Sequence, residues 1–271
     1  MIVFYQNMAV KQMILNLYKN RGETPLECIL RYKKDNPEYK NDKMTYAGRL
    51  DPLAEGLLLV LVGEECKNKE KYLGLDKTYE VDVLFGFATD TYDILGKVCQ
   101  TSKNKHLKCE DGFDYTDVEK FQCINKDIKT FIGKFSQKYP PFSSKTIKGK
   151  SLFSLFKSGE LKDDDIPEKE VEIKDIKIIG GRTISKNDLE KYIKESVNLV
   201  KGDFRQKEIL KIWDKILKET KLENFMIISM KVDCSSGTYM RSLANSIGEK
   251  VGISALALNI KRIKVGEYNI N

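Results

Sequence analysis

Apolar and polar positions along this chain fall into three kinds of run. The longest unbroken apolar one, Leu57–Val62, holds six such residues in succession and predicts a strand buried on both faces. Lys77–Phe87 alternates instead. Tyr79, Val81, Val83, Phe85 and Phe87 share one parity and Glu80 and Asp82 the other, as in a strand with one face against a core. Met13–Tyr18, Val171–Ile179 and Asn224–Val232 are further strand candidates, and a last one ends at Tyr268. Helical signals begin at Thr24-Pro25-Leu26-Glu27: a capping threonine, a first-turn proline and a glutamate at the third helical position. That helix is expected to run to about Lys34, with Leu26, Ile29 and Leu30 on one face. Ser185 caps a second helix to about Leu199, and Ile209, Ile212, Trp213, Ile216 and Leu217 recur at helical spacing in a third. A fourth begins at Tyr239 and continues through Leu243, Ala244 and Ile247 to Gly248.

At 271 residues the chain is long enough for one large or two small domains with a substantial core. A hydrophobic fraction of 41% and a charged fraction of 32% describe a soluble globular protein. No apolar run approaches a membrane span, and the opening M-I-V-F-Y-Q-N-M-A-V-K lacks the features of a signal peptide. The six cysteines (Cys28, Cys66, Cys99, Cys109, Cys123, Cys234) form no C-x-x-C pair, and His106 is the one histidine. A zinc site is therefore poorly supplied, a disulfide framework is not expected, and the reading is a reducing, cytosolic protein. Lys and Arg number 47 against 40 acids, a net +7 that suits a polyanionic partner without deciding for one.

Nucleic-acid character is strongest over Phe131–Glu160. Lys134, Lys138, Lys145, Lys148, Lys150 and Lys157 interleave there with Phe131, Phe135, Tyr139, Phe142, Phe153 and Phe156. Lysines meet phosphates and rings stack on bases, although Phe153 and Phe156 are expected on a buried helix face. Gly181–Asn224 carries 11 Lys/Arg against 8 Asp/Glu, a net +3, and reads as a helical hairpin packed on the body.

Candidate chemistry centres on Met44–Gly56, M-T-Y-A-G-R-L-D-P-L-A-E-G. Asp51 lies between Leu50 and Pro52, with Gly48 and Gly56 to allow tight turns or a close backbone approach. Most Asp-Pro pairs merely cap a turn, but a carboxylate on a stiffened apolar loop can act as a nucleophile when a cation keeps it ionised. Ala88–Asp93 looks like a calcium loop, yet it lacks the D-x-D-x-D-G spacing and the distal glutamate, so no metal is expected there.

Y-A-G-R-L-D-P-L-A-E-G resembles the G-H-T-G-x-L-D-P-x-A-x-G motif of the TruB-type tRNA pseudouridine synthases, and C-S-S-G-T-Y-M-R-S at Cys234–Ser242 resembles their C-S-x-G-T-Y-I-R-T. The resemblance implies that Asp51 attacks the target uridine and that Arg241 is its ion-pair partner. Tyr79, following Lys77-Thr78, falls on a tyrosine that packs against the base and takes part in proton transfer. Ile260 falls on a pocket-lining leucine, and Lys19 and Gly22 match a D-K-P-x-G segment in which Asn20 replaces the proline. Tyr46 stands where the family has a histidine that engages the flipped-out nucleotide.

The implied fold is α/β (α+β), a large, mostly antiparallel sheet flanked by helices. One catalytic domain would cover residues 1–271, interrupted by a helical insertion at 181–224, with no C-terminal RNA-binding domain before Asn271. The implied activity is conversion of uridine 55 in the tRNA T-arm to pseudouridine by a cytoplasmic monomer, without cofactor, metal or membrane. Two other readings stay open: a catalytically idle RNA-binding or RNA-folding protein on this fold, and a pseudouridine synthase for another RNA.

Overall fold

The structure is a computed structural model that describes residues 13–102, 121–143, 145–147, 149–162 and 165–270. His106, Cys109 and Lys148, the side chains of Cys123 and Lys157, and the opening stretch lie outside the described residues. In chain order the first half comprises β1 (Ile14–Lys19), α1 (Pro25–Asp35), β2 (Met44–Ala47), β3 (Glu55–Val62), α2 (Lys69–Leu73), β4 (Lys77–Phe85), β5 (Phe87–Thr89) and β6 (Val98–Thr101). There follow α3 (Phe121–Lys129), β7 (Gly133–Lys138), β8 (Thr146–Ile147), β9 (Lys150–Ser151), α4 (Leu152–Lys157), β10 (Glu168–Ser185), α5 (Lys186–Leu199) and α6 (Gln206–Glu219). The chain then adds β11 (Asn224–Cys234), α7 (Met240–Val251), β12 (Ala255–Val265) and β13 (Tyr268–Asn269).

A nine-stranded sheet organises these elements in the order β1-β3-β12-β4-β11-β10-β7, with β2 on β3 and β13 on β12. Every pairing in it is antiparallel except β3 with β12, which meet through Lys261↔Glu55 and Arg262↔Gly56. The large, mostly antiparallel sheet expected from the resemblance is thus present. The Leu57–Val62 run is β3, buried on both faces: Leu58, Val60 and Val62 pack toward Ile29 of α1, while Leu57, Leu59 and Leu61 pack with Tyr72 and Val265.

Three expectations need correction. First, α1 buries Pro25, Cys28 and Ile29, so its inward stripe is offset by one residue. Leu26 and Leu30 are 59% and 55% exposed. Second, Phe87 does not share a face with Tyr79, Val81, Val83 and Phe85, because Gly86 at φ +112° ends β4 and turns the chain. The Phe87 ring crosses to the other core and packs edge-on against Trp213 of α6, centroids 5.0 Å apart. Third, Phe153 and Phe156 are only half-buried: their rings gather round Phe142, at centroid distances of 5.5 and 4.4 Å. The segment's rings are largely engaged with one another.

The helical hairpin expected over 181–224 is shorter than that: residues 181–185 continue β10 in pairing with β11 out to Ser185↔Asn224, and the two helices fall within 186–219, on the outer ends of those strands. Ser185 caps α5 by accepting from the Asp188 amide at 3.1 Å. Leu189, Ile193 and Val197 of α5 and Ile209, Trp213 and Leu217 of α6 close a second core against Leu84, Phe225 and Leu256. The long strands therefore carry the hairpin on the central sheet.

Candidate active site

The loop between β2 and β3 carries Asp51, and its shape is imposed from below. Gly48 (φ +90°) and Gly56 (φ +105°) occupy backbone conformations that disfavour a side chain. A Cβ on Gly56 would stand 2.3 Å from the Arg262 carbonyl oxygen, so the parallel approach of β12 to β3 requires glycine there. Lys19, at the end of β1, is fully buried beneath the loop. Its Nζ donates to the carbonyls of Ala54 (2.6 Å), Asn20 (3.1 Å) and Pro52 (3.3 Å), and the Gly22 amide donates to the Pro52 carbonyl at 2.9 Å. Burial lowers the Lys19 pKa to about 8, against the opposing pull of Glu23 and Asp51. The matched lysine is thus a strut under the Asp51 loop, with no free face to offer a ligand.

Arg241 lies in the first turn of α7, which starts where Gly237 (φ +84°) turns the chain. Tyr239 is the N-cap but makes no capping side-chain bond. Gln137 of β7 anchors that residue instead, accepting from the Tyr239 amide (2.8 Å) and donating to its carbonyl (3.1 Å). The buried guanidinium meets Asp51 as a two-toothed fork: Nε to Oδ2 at 2.7 Å and Nη2 to Oδ1 at 2.9 Å. Its other donors go to the carbonyls of Thr91 (3.0 Å) and Phe142 (3.1 Å). The Asp51 side chain stays 32% exposed, so the pocket is open to solvent at the carboxylate. The fork therefore fixes the direction of the carboxylate.

A second carboxylate stands behind this pair. Asp93 Oδ2 is 3.8 Å from Arg241 Nε, and Oδ1 accepts from Thr91 Oγ1 (2.6 Å) and the Leu95 amide (3.0 Å). Burial pushes its carboxyl up to about 6, with Arg241 and the Thr91 hydroxyl pulling the other way. The Ala88–Asp93 loop, rejected from the sequence as a calcium site, supplies part of the cage round Arg241.

Tyr79 lies opposite Arg262 in the β4–β12 register, buried in the main core within reach of that guanidinium's charge. Burial raises the pKa of its hydroxyl and Arg262 opposes the rise. Arg262 plugs the point where β2 and β12 part company beside β3, donating to the carbonyls of Leu57 (2.8 Å) and Gly48 (3.0 Å). Asp51, Tyr79, Tyr46 and Ile260 all line one cleft of about 1020 Å³, joined by Phe153 and Phe204. Of the residues singled out from the sequence, then, five come together: these four and Arg241, bonded to one of them. Lys19 stays underneath. Arg262, Asp93 and Phe204 were missed. The parity of Arg262 with Ile260 along β12 was the one available signal.

The family profile described as TruB family pseudouridylate synthase (N terminal domain) matches residues 36–203. The chain belongs to that family. It is 30% identical over 252 residues to the tRNA pseudouridine synthase B of Aquifex aeolicus, covering 93% of this chain and 68% of that one. A protein of the same name from Ligilactobacillus salivarius is 30% identical over 257 residues, covering 95% and 68%. Among solved structures, a chain of a Cbf5-Nop10-Gar1 complex matches with a TM-score of 0.53 at 17% identity, over 95% of this chain and 50% of that one. The likeness to that larger chain concerns the fold alone. The chain spans about two thirds of the length of those curated relatives.

Proposed function

We propose that this protein is a tRNA pseudouridine synthase that isomerises uridine 55 of the T-arm, working as a monomer in the cytosol without cofactor or metal. The observation that carries the reading is the two-toothed Arg241–Asp51 pair at the mouth of a cleft large enough for a nucleotide. The target uridine leaves the stack and enters the cleft, as bases do for other enzymes that act on them. Asp51 bonds to the target nucleotide as the nucleophile, the bond between C1′ and N1 breaks, the uracil turns so that C5 bonds to C1′, and the bond to Asp51 breaks again to free the carboxylate. N1 then takes up a proton and C5 loses one. Tyr79, lining the same cleft, is the group assigned to that transfer. Tyr46 offers its ring to the flipped nucleotide, with the Lys69 ammonium 5.5 Å from the ring centroid on the cleft side.

Unmodified tRNA transcript incubated with the purified protein should acquire pseudouridine at position 55. Asp51→Asn should abolish this while leaving RNA affinity nearly intact, because an amide cannot serve as the nucleophile. Turnover by the Asn variant within about tenfold of wild type would remove Asp51 as catalyst. Binding without any pseudouridine formation, by wild type as well, would make the protein an idle RNA-binding member of the family. Mapping pseudouridine in total RNA with and without the gene separates tRNA from other targets.

A further inference from the structure

The inserted hairpin touches the active site at three places, and the reading above gives it no task. Leu199, at the end of α5, packs so closely on Gly22 that a Cβ there would lie 2.7 Å from the Leu199 Cβ. Gly22 is the residue whose amide holds the Pro52 carbonyl of the Asp51 loop. Upstream of it Arg21 lies over the Tyr192 ring of α5, 4.5 Å from the centroid, and donates to the Tyr192 hydroxyl. The third place is the loop 200–205, which joins the two inserted helices.

That loop is a built object. Gln206 alone makes three bonds across it: Oε1 accepts from the Phe204 amide (2.9 Å), and Nε2 donates to the carbonyls of Val200 (3.0 Å) and Gly202 (2.7 Å). Arg205 adopts a left-handed backbone, φ 63° and ψ 26°, which residues with a β-carbon rarely take. From that position its guanidinium, little exposed, donates to Asp90 (Nη1 to Oδ2 2.7 Å, Nη2 to Oδ1 3.3 Å). The same group lies 4.2 Å over the Phe142 ring and 5.7 Å from that of Phe156.

Asp90 and Phe142 are the telling contacts. Asp90 precedes Thr91, and the carbonyls of Thr91 and Phe142 are the two that hold the Arg241 guanidinium apart from Asp51 itself. One side chain of the insertion therefore clamps both segments that cage the active-site arginine. We propose that Arg205 is a positioning residue for catalysis, bracing the Thr91 and Phe142 carbonyls so that Arg241 presents Asp51 in its attacking orientation. The hairpin is then a working part of the site. The catalytic half of this inference rests on the function proposed above.

Arg205→Gly removes the guanidinium and relieves the left-handed backbone, so it is better tolerated than an alanine. In this variant kcat for pseudouridine formation should fall about tenfold to a hundredfold, the scale set by small misplacements of reacting groups, while KM for the RNA stays within about twofold. Arg205→Lys, which restores charge to Asp90 without the planar stack on Phe142, should recover part of the loss. A second readout needs no turnover: the Arg241 Nε–H, buried against Asp51, should exchange with solvent at least about tenfold faster by NMR in Arg205→Gly than in wild type. A purely structural arginine would lower the melting temperature and leave kcat and that exchange rate unchanged, and this result overturns the proposal. Should wild type form no pseudouridine in any RNA, the functional reading fails, and the exchange measurement still decides whether Arg205 braces Arg241.

Discussion

Replacing Arg241 by methionine tests the centre of the site. Four hydrogen bonds disappear: two to Asp51 at 2.7 and 2.9 Å and two to the Thr91 and Phe142 carbonyls at 3.0 and 3.1 Å. Breaking a buried ion pair from one side costs about 3–5 kcal/mol, because the partner is left uncompensated. Here Asp51 is one-third exposed and recovers water, whereas Asp93, buried 3.8 Å away, loses its neighbouring cation. Methionine fills much of the vacated volume, so the cavity contribution is small. The balance is a loss of about 2–4 kcal/mol, or a fall in melting temperature of roughly 4–16 °C at 2–4 °C per kcal/mol for a chain of this size. Turnover should fall further than stability accounts for, by about a hundredfold or more per folded molecule, since the carboxylate is no longer aimed. Arg241→Lys supplies one charge without the fork and should restore only part of either loss. Urea unfolding and single-turnover pseudouridine formation on the same preparation measure both. A Met variant with an unchanged unfolding midpoint and turnover within about tenfold of wild type would refute the pairing as the organising contact.

Two further substitutions probe the supports. Asp93 holds its proton longer folded, near pH 6, than unfolded, so its contribution to stability is fully present below about pH 4 and is lost as pH rises to 6, by roughly 3 kcal/mol. Asp93→Asn should remove that dependence, and parallel melting curves for the two proteins between pH 4 and 6.5 would sink the assignment. Lys19→Met strips donors from the Ala54, Asn20 and Pro52 carbonyls, so it should cost about 2–4 kcal/mol in urea unfolding and reduce kcat more than RNA affinity. A variant as stable and active as wild type would show that the loop stands without its strut.

What could be read beforehand was whatever is local in the chain. The Asp51 loop and the turn into α7 are contiguous motifs, because a nucleophile on a stiff loop and an arginine after a glycine turn each need neighbouring residues. The helices α5 and α6 were legible too, since a 3.6-residue period needs no partner to be seen. Where they dock was not, because Leu199 against Gly22 and Arg205 on Asp90 are tertiary contacts without a local trace. Arg262 entered the site only through its register with Tyr79, and a β-bulge between Ala257 and Asn259 had to be counted to predict that register. Phe87 defeated the parity argument because a single glycine conformation reversed its face.

The parallel contact at Gly56 and Arg262 has a consequence for how the molecule comes into being. The Arg262 side chain binds the Leu57 carbonyl across 205 residues of chain, and Arg241 reaches Asp51 across 190. On a ribosome adding about 5–20 residues per second, the Asp51 loop emerges roughly 10–40 s before the last strand that completes it. Throughout that interval β3, apolar on both faces, lacks its β12 neighbour, and its loop lacks both arginines. Loop closure over such distances is slow and comes late, so the pocket is assembled in one of the final steps of folding. Chaperone dependence should therefore concentrate on β3, and a chain stalled before β12 should display a pocket without its Arg262 side.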